Sequence, residues 1–263
     1  MTLKISRFIR SLPLSGHIPS KRALAAIAKL NGRRLEKRWP FLPKSEGRGL
    51  NLGFEDLLEF QYARSRHFFI ISVGAYDGLE NDPISRFIRS HDCHGILLEP
   101  QPGAFKRLCN NYKDFPNFEL LNAAVDQVSG FREIYYVPAG IEELPAWAEQ
   151  LASFHIEHLL KHVEKAPDLA KHIRQQIIQT ISFEDLLGQS ATDAIDVLQI
   201  DAEGMDAQLL IWFPFERIRP SVLHYETAHM SPAELLEVRA RLQGFGYIVY
   251  EADAPTDDMA VLI

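Results

Sequence analysis

An α/β fold built on a largely parallel sheet is predicted by three features of the sequence. From Phe68 onward, apolar runs of strand length alternate with amphipathic helical windows, the pattern of successive βαβ units. A glycine-bearing segment, Gly74 to Gly78, lies between the first such run and the next helical window. Near the end, a helix is followed by two strands joined only by Glu251 to Asp258. That link is too short for a parallel crossover, so the last strand is expected to run antiparallel.

The elements follow in order. A helix over Phe54–Ser65 leads into a strand at Phe68–Val73, a helix at Pro83–Ser90 and a strand at Gly95–Leu98. A helix over Pro102–Tyr112 and one strand over Phe118–Val125 come next. Phe131–Val137 reads as an extra strand, hairpin-paired across Ser129-Gly130. Residues 138–175 break the rhythm: rich in His, Glu and Lys, with helical stretches near Glu157–His162 and Asp168–Gln175, they read as an insertion over the active-site face. Strand Ile177–Ile181, helix Phe183–Leu187, strand Val197–Ile200 and helix Asp206–Trp212 resume the pattern. Strand Val222–Tyr225, helix Pro232–Gln243, and strands Tyr247–Tyr250 and Met259–Ile263 complete it.

Composition sets the class. The 263 residues are 46% hydrophobic and 24% charged, an ordinary balance for a globular protein able to bury its own core. Cys93 and Cys109 have no metal-like spacing and read as reduced thiols. The net charge of -7 hides a strong asymmetry. Residues 1–48 carry twelve Lys and Arg against only Glu36 and Glu46, so residues 1–53 are expected to form a basic helical extension and linker, with helices around Leu3–Ser11 and Lys21–Lys37. Residues 54–263 are expected to form the main domain. The extension could touch an anionic membrane surface peripherally, or could fold over its own acidic body. No run approaches the ~20 apolar residues that cross a bilayer, and no apolar stretch suits a signal peptide. The default expectation is cytoplasmic, with no nucleic-acid partner and an open oligomeric state.

Five segments carry candidate chemistry, and all five lie at strand ends along the carboxyl edge of the sheet. In Val73-Gly74-Ala75-Tyr76-Asp77-Gly78, glycine would let the backbone pass close to a ligand, but the third glycine of the GxGxxG pattern is missing. That spacing suits a ligand without a pyrophosphate. Glu99, followed by Pro100, lies about 20 residues on, where an acidic residue accepts hydrogen bonds from ribose hydroxyls. Asn122 and Ala123 close the third strand with small residues that leave space for a planar base. Asp201-Ala202-Glu203-Gly204 delivers two carboxylates to the same edge, where they could orient a cationic group or take a proton. Glu226 and His229 end the next strand and join that rim, where histidine is the usual base near neutral pH. A metal bound by Asp201, Glu203, Glu226 and His229 is conceivable, but the spacing is nonspecific and none is expected. Of the histidines of the insertion, His155, His158, His162 and His172, most read as a solvated face; His155 could belong to a substrate lid.

Together these segments resemble the FkbM family of S-adenosylmethionine-dependent methyltransferases. The resemblance rests on Val73-Gly74-Ala75-Tyr76-Asp77-Gly78, Leu98-Glu99-Pro100, Asn122-Ala123-Ala124-Val125 and Ile200-Asp201-Ala202-Glu203-Gly204, with Gly244-Phe245-Gly246-Tyr247 similar to a late strand. It spans about Phe68 to Ile263. It implies the class I methyltransferase Rossmann-like fold, a seven-stranded sheet with its last strand antiparallel, and O-methylation of a sugar, polysaccharide or natural-product hydroxyl. By position it assigns Val73, Gly74, Ala75, Asp77, Gly78, Glu99, Pro100, Asn122, Ala123 and Asp201 to the S-adenosylmethionine site. Asp201 and Glu203 would face the reaction centre, and Asp201, Glu226 or His229 would act as base. Two positions depart from the family: Gln199 stands where Lys is frequent, and Asp206 where Glu is frequent. The alternatives are a nicotinamide-dependent oxidoreductase, disfavoured by the missing glycine and the antiparallel ending, and a non-catalytic protein that binds an adenosyl ligand or a partner.

Overall fold

The computed structural model describes residues 53–190, 192–251 and 256–262. The expected basic extension and its two helices lie outside the described residues.

Seven strands form the main sheet: β1 (Phe69–Val73), β2 (His94–Leu98), β3 (Phe118–Leu121), β8 (Val197–Ile200), β9 (Val222–Glu226), β10 (Tyr247–Glu251) and β11 (Asp257–Leu262). Their order across the sheet is β10-β11-β9-β8-β1-β2-β3. All neighbours are parallel except β11, which runs antiparallel to both β9 and β10. The antiparallel last strand is what the short final link implied and the seven strands are what the resemblance implied, with β11 inserted between the two strands that precede it.

Helices cover both faces because the central strands are buried on both. Alternation assigns Ile71, Val73, Leu198 and Ile200 to one core layer, shared with α6 (Phe183–Ser190), α7 (Asp206–Trp212) and α8 (Pro232–Gly244). Ile70, Leu97 and Val197 point to the other layer, shared with α1 (Phe54–Tyr62), α2 (Ser85–Ser90) and α3 (Pro102–Asn111). Local sequence sets several boundaries. Ser231 and Glu234 form a capping box that starts α8, with Pro232 at its first position. Asp196 anchors α1 to the sheet, accepting from Gln61 Nε2 at 2.7 Å, Ser65 Oγ at 3.0 Å and the Phe69 amide at 2.8 Å.

The remaining strands correct the sequence reading. The span Phe118–Val125 is two strands: β3, and β4 (Ala123–Val125), which belongs to a second sheet. The break falls at Asn122, whose Nδ2 donates to the carbonyls of Glu99 at 2.8 Å and Pro100 at 3.1 Å. The second sheet has the order β4-β7-β5-β6, with β5 at Gly130–Tyr136, β6 at Ala152–Ser153 and β7 at Arg174–Ile181. The expected hairpin across Ser129-Gly130 does not form, because β7 lies between β4 and β5. The turn is tied to β7 instead: Thr180 Oγ1 donates to the Val128 carbonyl, and the Ser182 amide donates to Ser129 Oγ at 2.9 Å. Ile177–Ile181 is accordingly part of β7 and not of the main sheet.

Residues 138–175 also contribute to this second sheet, through β6 and the first residues of β7. Their helices are short: α4 (Ile156–Leu160), continued by a 3-10 turn over Lys161–Glu164, and α5 (Leu169–His172). They enclose a small core of their own around Val137, Leu151, Leu159 and Leu169.

At the far edge, Arg239 of α8 makes a bidentate contact with Asp258 at 2.7 and 2.8 Å, and Tyr225 donates to the same carboxylate at 3.2 Å. Asp258 is 1% exposed. Removing the guanidinium strands a buried carboxylate, at a cost of about 3 kcal/mol. Arg239→Ala should therefore lower the melting temperature by roughly 6–12 °C in a calorimetric scan.

Candidate active site

The site forms where β1, β2, β4 and β8 end together. The Gly74 and Ala75 amides donate to the Leu98 carbonyl, and the Asp201 amide donates to the Val73 carbonyl at 2.9 Å. Gly74 has φ +81°, and a Cβ there would lie 1.8 Å from the Asp201 carbonyl oxygen. Glycine is required at this point because two main chains meet there. Beside the junction opens a cleft lined by Val73, Gly74, Ala75, Glu99, Pro100 and Ala123 among the expected cofactor residues. Asp201, Glu203, Gln199 and Met205 close one side, and Phe154 and Gln150 from the inserted region form part of the wall.

Glu99 is 4% exposed and accepts from the Tyr76 amide at 2.9 Å and the Gln101 amide at 2.7 Å. Burial pushes its carboxyl up to about 7 despite those donors. Asp201 is open to water in the cleft yet walled by protein. Desolvation, then the carboxylates of Asp206 and Glu203, holds it well above the usual range. Asp206, 2% exposed, accepts from the amides of Ala202 at 3.1 Å and Gly204 at 3.3 Å and so fixes the loop after β8. Burial pushes it up to about 6. Glu203 sits at the tip of that loop with φ +47°.

A histidine cluster covers the other side of the loop. His229 Nε2 lies 3.4 Å from Glu203 and 3.8 Å from Glu226. The rings of His158 and His162 approach His229 edge-on, at 5.7 and 5.9 Å between centroids. Gly204 has φ +96° and lies directly under the His158 ring, where a Cβ would come within 2.2 Å. Burial, followed by the carboxylates of Asp201, Asp206, Glu203 and Asp257, pushes Glu226 up to about 10. Glu226 therefore holds its proton at neutral pH. His158 and His162 are both pushed down, chiefly by burial. Among the described residues, no group of three or more His, Cys, Asp or Glu side chains is arranged to hold a metal ion.

Three expected cofactor residues do not line the cleft. Asp77 caps the turn after β1 by accepting from the Leu79 and Glu80 amides at 2.8 and 2.9 Å. Gly78 faces Tyr112 and Leu108. Asn122 holds the Glu99-Pro100 backbone, as described above. Glu226 and His229 stand on the rim, outside the cleft lining. Conversely, Gln199, Asp82 and Phe154 line the cleft without having been singled out as contacts. The Asn81-Asp82-Pro83 turn signal and the polar Gln199 inside an apolar strand were the available clues.

Gly74→Ala should lose several degrees of thermal stability, because both the positive φ and the Asp201 carbonyl oppose a Cβ. Gly188→Ala in α6, where a Cβ meets nothing within 4 Å, should be neutral or slightly stabilising in the same scan.

No curated protein sequence matches the chain. Among solved structures, it is similar to an FkbM methyltransferase from Methylobacillus flagellatus KT, at 12% identity and TM-score 0.46, over 74% of this chain and 43% of that one. It spans less than half the length of that protein. It is similar also to precorrin-6Y C5,15-methyltransferase from Geobacter metallireducens GS-15, at 13% identity and TM-score 0.38, over 78% and 85% of the two chains. A fibrillarin pre-rRNA processing protein from Methanococcus jannaschii matches at 10% identity and TM-score 0.38, over 75% and 67%. The model of the methyltransferase FkbM domain matches residues 72–249, well over half of the chain, which therefore belongs to the FkbM family of methyltransferases.

Proposed function

We propose that this methyltransferase uses S-adenosylmethionine and transfers its methyl group to a hydroxyl of a sugar, polysaccharide or natural product. The charge of the cleft carries the cofactor reading. Glu80, Asp82, Glu99, Asp201 and Glu203 line it and, among the described residues, no Lys, Arg or His does. Such a lining repels a pyrophosphate and suits a ligand bearing a sulfonium and an ammonium. Ala123 and Ala124 leave a slot for a flat base, and Glu99 offers a carboxylate to ribose hydroxyls. Bound S-adenosylmethionine supplies an electrophilic methyl group.

The acceptor reading rests on a second, open groove that shares Met205 with the cleft. Trp212 offers an apolar face there, and Gln208, Arg132, His155 and Lys161 offer hydrogen bonds around it. This combination suits a hydroxylated ring. His229 acts as the base, oriented by Glu203, while Glu226 keeps its proton beside them. α4 of the inserted segment forms part of the groove wall through Glu157 and His158. A peripheral membrane contact by the basic extension remains part of the proposal, with a polyanionic surface as its partner. Among the described residues no helix is long and apolar enough to cross a membrane.

Two experiments test this. In thermal-shift and calorimetric titrations, S-adenosylhomocysteine should bind and NAD should not. Its affinity should fall as the pH drops below about 7, because protonating Glu99 removes an acceptor. The fall approaches about tenfold per pH unit. Glu99→Gln should bind roughly 10–100-fold more weakly and flatten that profile; an unchanged profile rejects the assignment. With a labelled methyl donor and a panel of glycan acceptors, His229→Ala should keep S-adenosylhomocysteine affinity and lose about 100-fold or more in kcat. Normal turnover of His229→Ala removes His229 as base.

A further inference from the structure

Gln199 is a buried polar group whose hydrogen bonding is left half complete. It lies on β8, two residues before Asp201, which follows the strand's end. It is 3% exposed and lines the cleft, yet its Oε1 has no hydrogen-bond partner. The orientation of the amide is set by its other contact. Nε2 faces Asp82 Oδ1 at 3.4 Å, and an ionised carboxylate can only accept, so the nitrogen must point to Asp82 and the oxygen to the cleft.

Asp82 is held in place from behind by the Ile84 amide, which donates to its Oδ1 at 3.0 Å. Burial keeps its carboxyl above the usual range, and the donors of Ile84 and Gln199 only partly counter this. The two groups therefore present the cleft with an amide oxygen and a carboxylate. Asp201 and Glu203 stand beside them, and none of the described residues lining the cleft supplies a Lys, Arg or His partner. What is missing is a cation that donates several hydrogen bonds and accepts none. An ammonium has that composition.

Position selects which ammonium. Strand order places β1 between β8 and β2, and Gln199 and Leu97 both pair with Ser72, so Glu99 lies two strand spacings across and two residues further along, about 12 Å from Gln199. That separation matches a short amino-acid chain leaving a ribose, with the junction of Gly74 and Asp201 between them. We propose that Gln199 and Asp82 form the subsite for the α-ammonium group of the methionine moiety of the methyl donor. The assignment rests on the S-adenosylmethionine reading above and adds the residues that recognise its amino group.

Isothermal titration with three probes tests it on the full chain: S-adenosylhomocysteine, its deamino analogue, which keeps the carboxylate, and 5′-methylthioadenosine, which lacks the amino-acid portion. Asp82→Asn and Gln199→Met are each compared with the wild type. Both variants should bind S-adenosylhomocysteine about 10–100-fold more weakly, and should bind the other two probes within about twofold of wild type. Retained binding of 5′-methylthioadenosine also reports an intact fold. An equal loss for all three probes marks a merely structural role and overturns the subsite, as does undiminished affinity for S-adenosylhomocysteine in both variants. If the wild type binds none of the three, the cofactor reading itself fails and takes the subsite with it. If it binds all three equally, only the subsite fails.

Discussion

The close approach of β1 to β8 at their carboxyl ends is the constraint on which the site depends. Gly74 lies against the Asp201 carbonyl, and the Val73 carbonyl accepts the Asp201 amide. Any side chain at 74 would force these two strand ends apart. With them joined, the turn after β1 and the carboxylate loop after β8 become two walls of one cleft. Parallel pairing makes this possible, since the two neighbouring strands deliver their carboxyl ends to the same edge.

The second constraint is electrostatic. Glu99, Asp201, Asp206 and Glu226 are all pushed upward by burial, and the Glu203 carboxylate adds to the push on each. Several carboxyl groups in one desolvated region are unfavourable by themselves and become favourable when a cation is bound. The histidines pack against the Asp201–Gly204 loop on the side away from the cleft, with the His158 ring over Gly204. Asp206 holds that backbone through two amides.

The second sheet explains how the inserted region reaches the cleft. Asn122 binds the carbonyls of Glu99 and Pro100, which ends β3 and releases β4 to pair with β7. β5 and β6 then extend that sheet and bring Phe154 to the cleft wall, where Arg132 stacks on its ring at 4.1 Å. One side chain serves two roles here: it terminates a strand and fixes the backbone that carries Glu99 and Pro100 into the cleft lining.

Local pattern determined much of the molecule. The alternation of apolar strands and amphipathic helices specified the main elements, since a strand buried on both faces can hardly be written otherwise. The short link after Tyr250 determined the antiparallel pair at the end. Val73 to Gly78, Glu99 and Asp201 to Gly204 announced the site because residues at strand ends share one edge in any parallel sheet. Tertiary structure alone decided which of them face the cleft. Asp77, Gly78 and Asn122 were drawn into the turn, helix contacts and backbone clamps, which depend on neighbours distant in sequence. The partition into two sheets was equally hidden, because β4 and β5 are close in sequence but separated in space by β7. Gln199 shows the limit most sharply. Its identity was plain in the sequence, but only the packing around it revealed an oxygen left without a partner.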